Sequence, residues 1–382
     1  MIYLDNAATT WPKPPGVAKA MKRMVEDLGA NPGRGGHRMA REASGVVEET
    51  RRLLARFFHA EDPKHVFFCH NGTHAVNQAL KGWLSRGDHV ITTSWEHHAV
   101  ARPLEYLKRE AGIEVTRIFP GERGSIDLDQ LEAAIRPSTR LIAITHASNV
   151  TGAVIPVKEV AEIARRHGVP SLVDAAQTAG ILPIDVQEWG IDLLAFPGHK
   201  GLFGPQGTGG LYVSPEFPLK PLFQGGTGSK SEELEHPVTR PEGFESGTLN
   251  TPGIAGLGEG IRFLEGTGLE SIHQREMVHA EAIRSGLESM ERVRLYPPLR
   301  FELPVLSFNI EGIESTEAAV LLDQHFEIAV RGGYHCAALA HRTNETAGSG
   351  TLRVSPGYYN TDKEIQTFLQ AVDEIAGAFS GW

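Results

Sequence analysis

Lys200 stands in AFPGHKGLFGP, directly after an apolar run and among glycines that admit close backbone approach to a ligand. Most lysines are solvated surface charges. A lysine at the carboxyl end of a buried strand, where ligand sites of parallel α/β sheets gather, is instead placed to shed its proton and attack a carbonyl carbon. His199 beside it either contacts a phosphate or closes the strand. Asp174 ends the run SLVD, and a carboxylate there is costly to bury without a cationic partner. Two readings stay open for it: a turn or helix-capping aspartate, or the carboxylate that keeps a heteroaromatic ring nitrogen protonated and so makes the ring an electron sink. Gln177, three residues on, falls on the same side if a helical turn starts there.

CHNGTHAVNQAL, residues 69–80, reads as a strand end, then Gly72-Thr73-His74, then a helix. Such a junction offers free backbone N–H groups and a positive dipole end to an anion. In SWEHHAV, Glu96, His97 and His98 follow another strand. Paired histidines suggest a metal, but no second His/Cys cluster lies at ligand spacing, so no metal site is expected. A histidine here suits stacking on an aromatic ring and moving protons. Asn149 of HASNVTG is either a ring-oxygen donor or a turn residue. Of the two cysteines, Cys69 reads as a small buried residue. Cys336, in VRGGYHCAALAH, follows Arg331 and His335; a thiolate is the nucleophilic form of cysteine, and cations nearby favour it. The alternative for Cys336 is a buried structural role. Arg353 either clamps a carboxylate bidentately or pairs with an internal acid.

These residues need a scaffold, and the pattern supplies one. HVFF (65–68), HVITT (89–93), EVTRIF, RLIAIT, SLVDAA and DLLAF are short apolar runs, and amphipathic stretches such as THAVNQALKGWL, HAVARPLEYLKREAG and VKEVAEIARRHG separate several of them. Strands alternating with helices predict an α/β fold with a largely parallel, doubly covered sheet. Residues 197–255 are glycine-rich, and helical signals return after 255. PVLSFNI, EIAVRGG and TLRVSP predict strands of a second, smaller unit. The 382 residues exceed one ordinary core, and 41% hydrophobic with 22% charged residues is a globular balance. A net charge of −10 without basic runs speaks against nucleic acid or an anionic membrane as partner. No signal-type N-terminus or spanning apolar stretch is visible, and two distant cysteines exclude a disulfide framework, so a cytoplasmic setting is expected.

In order along the chain, YLDNAATT, NPGRGGH, EHHAV, SNVTG, DAAQ, GHKGLFGP, GTLNTPG and RGGYHCA resemble the successive motifs of the cysteine desulfurases of class V aminotransferase fold, from residue 2 to about 365. The cysteine-bearing segment is similar to the RxGxHCA pattern of their second group, which includes the selenocysteine lyases. The resemblance implies a type I fold for pyridoxal phosphate (PLP) enzymes: a large domain over 16–255, and a small α+β domain over 256–382 joined by residues 1–15. It implies a homodimer with shared active sites. Lys200 would bond PLP covalently, Asp174 would hold the pyridine nitrogen, and Asn149 and Gln177 would flank the ring hydroxyl. His97 would stack on the ring. Thr73, His74 and His199 would bind phosphate, as would Thr248 from the neighbouring subunit. Arg353, with Asn149 and Arg331 nearby, would hold the substrate carboxylate, and Cys336 would take up sulfur as a persulfide.

The implied reaction is L-cysteine to L-alanine, with L-selenocysteine as an alternative substrate and a sulfur-acceptor protein downstream. His97 is the candidate to take the substrate thiol proton. A selenocysteine lyase or aminotransferase-type activity is the first alternative, and a non-catalytic partner in sulfur relay a remoter one. A dinucleotide-binding dehydrogenase is disfavoured, because no G-x-G-x-x-G follows the first strand. The sequence departs from the family pattern at Pro197, where a Ser or Thr usually donates to phosphate, at GTLN in place of GTPN, and at Tyr334 in place of His.

Overall fold

The computed structural model describes residues 1–33, 35–121, 125–230 and 232–379. Arg34 of the NPGRGGH segment lies outside the described residues. The apolar runs form a seven-stranded sheet. Its strands are β2 (Val66–Cys69), β3 (His89–Thr93), β4 (Glu114–Ile118), β5 (Thr139–Thr145), β6 (Ser171–Asp174), β7 (Leu193–Pro197) and β8 (Gly209–Val213), after a short β1 (Ile2–Tyr3) that lies elsewhere. The order across the sheet is β2-β8-β7-β6-β5-β3-β4. β4, β3, β5, β6 and β7 run parallel, while β8 lies antiparallel between β7 and β2. The sheet is thus mixed and mostly parallel, the α/β arrangement that the alternating pattern implies.

Strands covered on both faces must be apolar throughout, and every residue of β6, β7 and β8 is buried. β8 escapes the sequence pattern because it opens on two glycines. A Cβ on Gly210 would lie 2.4 Å from Phe196 Cζ on β7, so a side chain there would displace the large ring from the core. Helices α3 (Gly72–Trp83) and α4 (His98–Glu110) cover one face, with Ala75, Val76, Ala79, Leu80, Val100 and Leu104 packed against Phe67, Leu172 and Leu193. α2 (Arg38–Phe57), α5 (Leu128–Ala133), α6 (Val157–Arg166) and α7 (Thr251–Thr267) carry the opposite core, around Phe58, Phe196 and Leu257, and α1 (Pro15–Glu26) packs on α7. Arg51 of α2 is buried and forms a fork with Glu245, which also takes the Phe68 N–H. Removing either partner would strand a buried charge.

The second unit is an antiparallel sheet of β9 (Val293–Leu295), β10 (Leu306–Ile310), β12 (Arg331–Gly333) and β13 (Thr351–Val354), ordered β12-β13-β10-β9. Helices α9 (Ser315–Phe326) and α11 (Asp362–Ala378) pack on it around Phe308 and Phe368. Leu4 joins this core, and β1 pairs with β11 (Ile328–Ala329). Residue 255 lies inside α7, and α8 (Leu269–Glu288) touches both cores, through Ile272 on one and Ala280, Ile283 and Leu287 on the other. No helix of the described residues is long and apolar enough to cross a membrane.

Candidate active site

A cavity opens at the carboxyl ends of the parallel strands, where the second sheet closes over the first. It brings together Thr73, His97, Asn149, Asp174, Gln177, His199, Lys200, Arg331, Cys336 and Arg353 from segments spread over most of the chain. Lys200 follows β7 by three residues and Asp174 closes β6, its direct neighbour. Burial pulls the Lys200 ammonium down from 10.5 to about 8, helped by the nearby Arg353 guanidinium. The free, nucleophilic amine is therefore far more accessible near neutral pH than on an ordinary surface lysine. Burial pushes the Asp174 carboxyl up; one oxygen accepts the Ala176 N–H at 2.9 Å, and Lys200 opposes the shift. A buried carboxylate with one oxygen left over gains most from a cationic N–H partner, which is what a protonated pyridine ring provides. Gln177 lines the cavity and donates to the Ala7 carbonyl, so its amide oxygen remains for a ligand.

The wall of the cavity at the start of α3 presents backbone. Asn71 caps α3 by accepting the His74 N–H, while the Gly72 and Thr73 N–H groups find no protein acceptor among the described residues. His74 is not brought to the cavity wall with them. Its N–H is spent on Asn71, its Nδ1 accepts from His70 N, and its ring packs 5.1 Å from both His70 and Phe223, away from the cavity. The helix rotates the side chain at 74 off the face that Gly72 and Thr73 present. His199 stays, with burial holding its imidazole down at about 4. Pro197 lines the cavity beside Gly72, and as a proline it offers neither hydroxyl nor N–H. Thr248 is exposed and does not line the cavity of its own chain. We expect Pro197→Thr, which adds a hydroxyl at this wall, to tighten PLP binding about 10-fold in a dialysis titration. An unchanged dissociation constant would show that position 197 is out of reach of the phosphate.

His97 heads α4, and its Nδ1 accepts the Ala99 N–H at 3.0 Å. A neutral ring that accepts at Nδ1 carries its proton on Nε2. Burial, seconded by Lys200, holds its conjugate acid down at about 3. The resting ring is therefore a donor at Nε2, with its other nitrogen engaged by the helix cap.

At the other rim, Arg331 and Arg353 sit directly opposite one another in the β12–β13 pair, and both line the cavity. Like charges in register are unfavourable unless an anion lies between or beside them. Arg353 is buried, donates to the Asn149 carbonyl at 3.0 Å and to Asp5 Oδ1 at 2.8 Å, and leaves its Nε without a partner. It thus pairs with an internal acid, and its remaining donors stay available for a carboxylate. Asp5, the partner of a cavity arginine though not itself on the cavity wall, was missed by sequence reasoning, although YLDNAATT contains it. Cys336 is exposed, in the turn between β12 and α10 (Ala338–Thr343). His335 and Cys336 both have left-handed backbone, with φ of 47° and 57°, which costs about 1–3 kcal/mol per non-glycine residue. Asn149 Nδ2 donates to the His335 carbonyl at 2.7 Å and His98 N to the Cys336 carbonyl at 2.8 Å, so ring-side residues of the first unit hold the thiol-bearing turn. Cys69, by contrast, is buried and its thiol is pushed up by burial.

A family model described as aminotransferase class-V matches residues 2–368. A protein of Methanothermobacter thermautotrophicus named "probable cysteine desulfurase" is 37% identical over 98% of this chain and 95% of its own. The apo structure of a cysteine desulfurase from Thermococcus onnurineus superposes with a TM-score of 0.92 at 35% identity, covering 99% of this chain and 95% of that one. A cysteine desulfurase from Escherichia coli, solved as its S-sulfonic acid, gives 0.88 at 28% identity, over 98% and 94% of the two chains. The lysine amine, the carboxylate beside it and the anion-ready helix end make a donor set that fits PLP. This chain belongs to the class-V aminotransferase family of PLP-dependent enzymes.

Proposed function

We propose that this protein is a cysteine desulfurase, converting L-cysteine to L-alanine and leaving the sulfur as a persulfide on Cys336. The observation that carries the reading is that Cys336 shares one cavity with Lys200 and Asp174. Chemistry at Cα needs the lysine and the carboxylate alone; a thiol turned to the same space adds a sulfur acceptor. PLP, when bound, supplies a protonated ring that withdraws electrons from Cα. Asp174 holds the proton on that ring, and Thr73, His199 and the start of α3 take the phosphate. Arg353 and Arg331 bind the substrate carboxylate, which fixes the substrate sulfur toward the 334–336 turn. Lys200, once free, takes the Cα proton. His97 stacks on the ring and offers Nε2–H to the site.

Cys336 sulfur then bonds to the substrate sulfur as the Cβ–S bond breaks. The electron pair left at Cβ takes a proton, so L-cysteine and a thiol give L-alanine and a persulfide with no outside oxidant or reductant. Exposure of Cys336 supports a hand-over to a separate acceptor thiol. In this reading the enzyme is a homodimer in which Thr248, exposed on its own chain and off its cavity, serves the phosphate of the second copy. Two free thiols suit a reducing, cytoplasmic setting.

With L-cysteine and an added thiol reductant, alanine and sulfide are expected in equal amounts; a keto acid in place of alanine would contradict the reading. A second expectation follows from Lys200. Covalent uptake of PLP by cofactor-free protein needs the neutral amine, so its rate should rise as pH increases through about 8 and level off above. A rise centred near 10.5, the ordinary lysine value, would mean that the amine is not tuned by its burial.

A further inference from the structure

The carbonyl of His199, the last peptide group before Lys200, is gripped from outside the cavity by one segment. Lys13 Nζ donates to it at 2.6 Å, Thr9 Oγ1 at 3.0 Å, Thr10 N at 3.2 Å and Thr10 Oγ1 at 3.3 Å. Thr10 Oγ1 also reaches the Lys200 carbonyl at 3.1 Å, and Lys13 Nζ the Thr10 hydroxyl at 2.6 Å. The same segment is anchored at its other end to the second unit. Asp5 takes Arg353, Asn6 Nδ2 donates to the Ser355 carbonyl, and Ala7 N donates to Ser355 Oγ. Residues 5–13 therefore strap the carboxylate-binding arginine to the lysine turn.

Lys13 is the unusual member of this strap. It is half-buried, and burial is the one influence on its ammonium, which falls from 10.5 to about 7. Its two hydrogen bonds go to neutral oxygens. A lysine left on the surface would pay nothing of this desolvation. While Lys13 keeps its proton, it holds the His199 carbonyl at 2.6 Å by a charge-assisted hydrogen bond, shorter than the 3.0 and 3.3 Å of the threonine hydroxyls, and the charge fades as pH rises through about 7. Lys13 does not line the cavity, so it touches neither substrate nor cofactor.

We propose that Lys13 is a positioning residue for Lys200: it fixes the His199 carbonyl, and through that peptide plane the direction in which the Lys200 side chain leaves its turn. The two threonines hold the turn in place, and Lys13 sets its orientation. The proposal rests on reading Lys200 as the PLP lysine, and borohydride reduction of the unaltered holoenzyme followed by peptide mapping checks that reading separately.

The test uses full-length, cofactor-free protein and follows covalent PLP uptake by absorbance at one fixed pH below about 7, where Lys13 keeps its charge, beside thermal melting of the same samples. Lys13→Met is expected to slow uptake and weaken retention of PLP about 10-fold, as loss of one charge-assisted hydrogen bond implies. Its cofactor-free melting temperature should stay close to that of the parent, and Lys13→Arg should restore most of the uptake rate. Uptake by Lys13→Met at the parental rate overturns the proposal. So does slow uptake that tracks a large drop in melting temperature and is not rescued by arginine, because the residue is then merely structural. Should Lys13→Met fail to fold, Lys13→Gln, which keeps a donor but no charge, is read by the same two outcomes.

Discussion

Lys200→Ala is expected to abolish turnover of L-cysteine, with a loss on the order of 10⁴-fold or more, since the general base and the covalent anchor disappear together. The amine sits at the carboxyl edge of β7, beside Asp174 on β6, and its burial lowers its hold on a proton. Removing it should not unfold the protein, because the change relieves the cost of a buried cation. The variant is expected to melt at or above the parental temperature while borohydride leaves no pyridoxyl label on any peptide. A labelled peptide elsewhere, or turnover within 10-fold of the parent (about 1.4 kcal/mol), would relocate the cofactor lysine.

The lysine and its neighbouring carboxylate were legible from sequence because strand ends are. Each follows a short apolar run, and buried parallel strands must be apolar along their whole length. Nearly all strands of the large sheet announce themselves in this way; β8 does not, since the close approach of Phe196 demands glycine at 210. What the linear pattern hides is long-range pairing. Asp5 meets Arg353 across almost the entire chain, and Lys13 reaches the His199 carbonyl. Neither residue is flanked by anything that distinguishes it from a surface charge. The sequence also does not separate His74 from Gly72 and Thr73: a helix start offers its N–H groups freely only until a cap takes one of them, and Asn71 takes that of His74. The tautomer of His97 was not legible either: its role as cap of α4 fixes it, and a tautomer is a property of the hydrogen-bonded partner.

Cys336→Ser carries the second large effect. The substitution keeps the size of the side chain and removes the sulfur that would bond to the substrate sulfur. The backbone there already has φ of 57°, held by His98 and Asn149 at successive carbonyls, and serine inherits the same support. PLP content and the spectral change on adding L-cysteine are therefore expected to match the parent, while alanine formation falls by at least about 10²-fold. Cys69→Ser should keep parental turnover, because Cys69 lies in the apolar core beside β8 and away from the cavity; its cost is to stability. The contrast between the two cysteines matters more than either result alone. L-cysteine must be the substrate, since selenium leaves without help from a protein thiol.

One measurement bears most directly on the proposed chemistry: a single turnover of the holoenzyme with an equivalent of L-cysteine and no reductant, quenched with a thiol-alkylating reagent. Alanine would be quantified, and the peptide containing Cys336 weighed. The account predicts alanine matching the enzyme sites, with the mass of one extra sulfur on the Cys336 peptide and none on that of Cys69. Alanine with free sulfide and an unmodified Cys336, or no alanine at all, would contradict it.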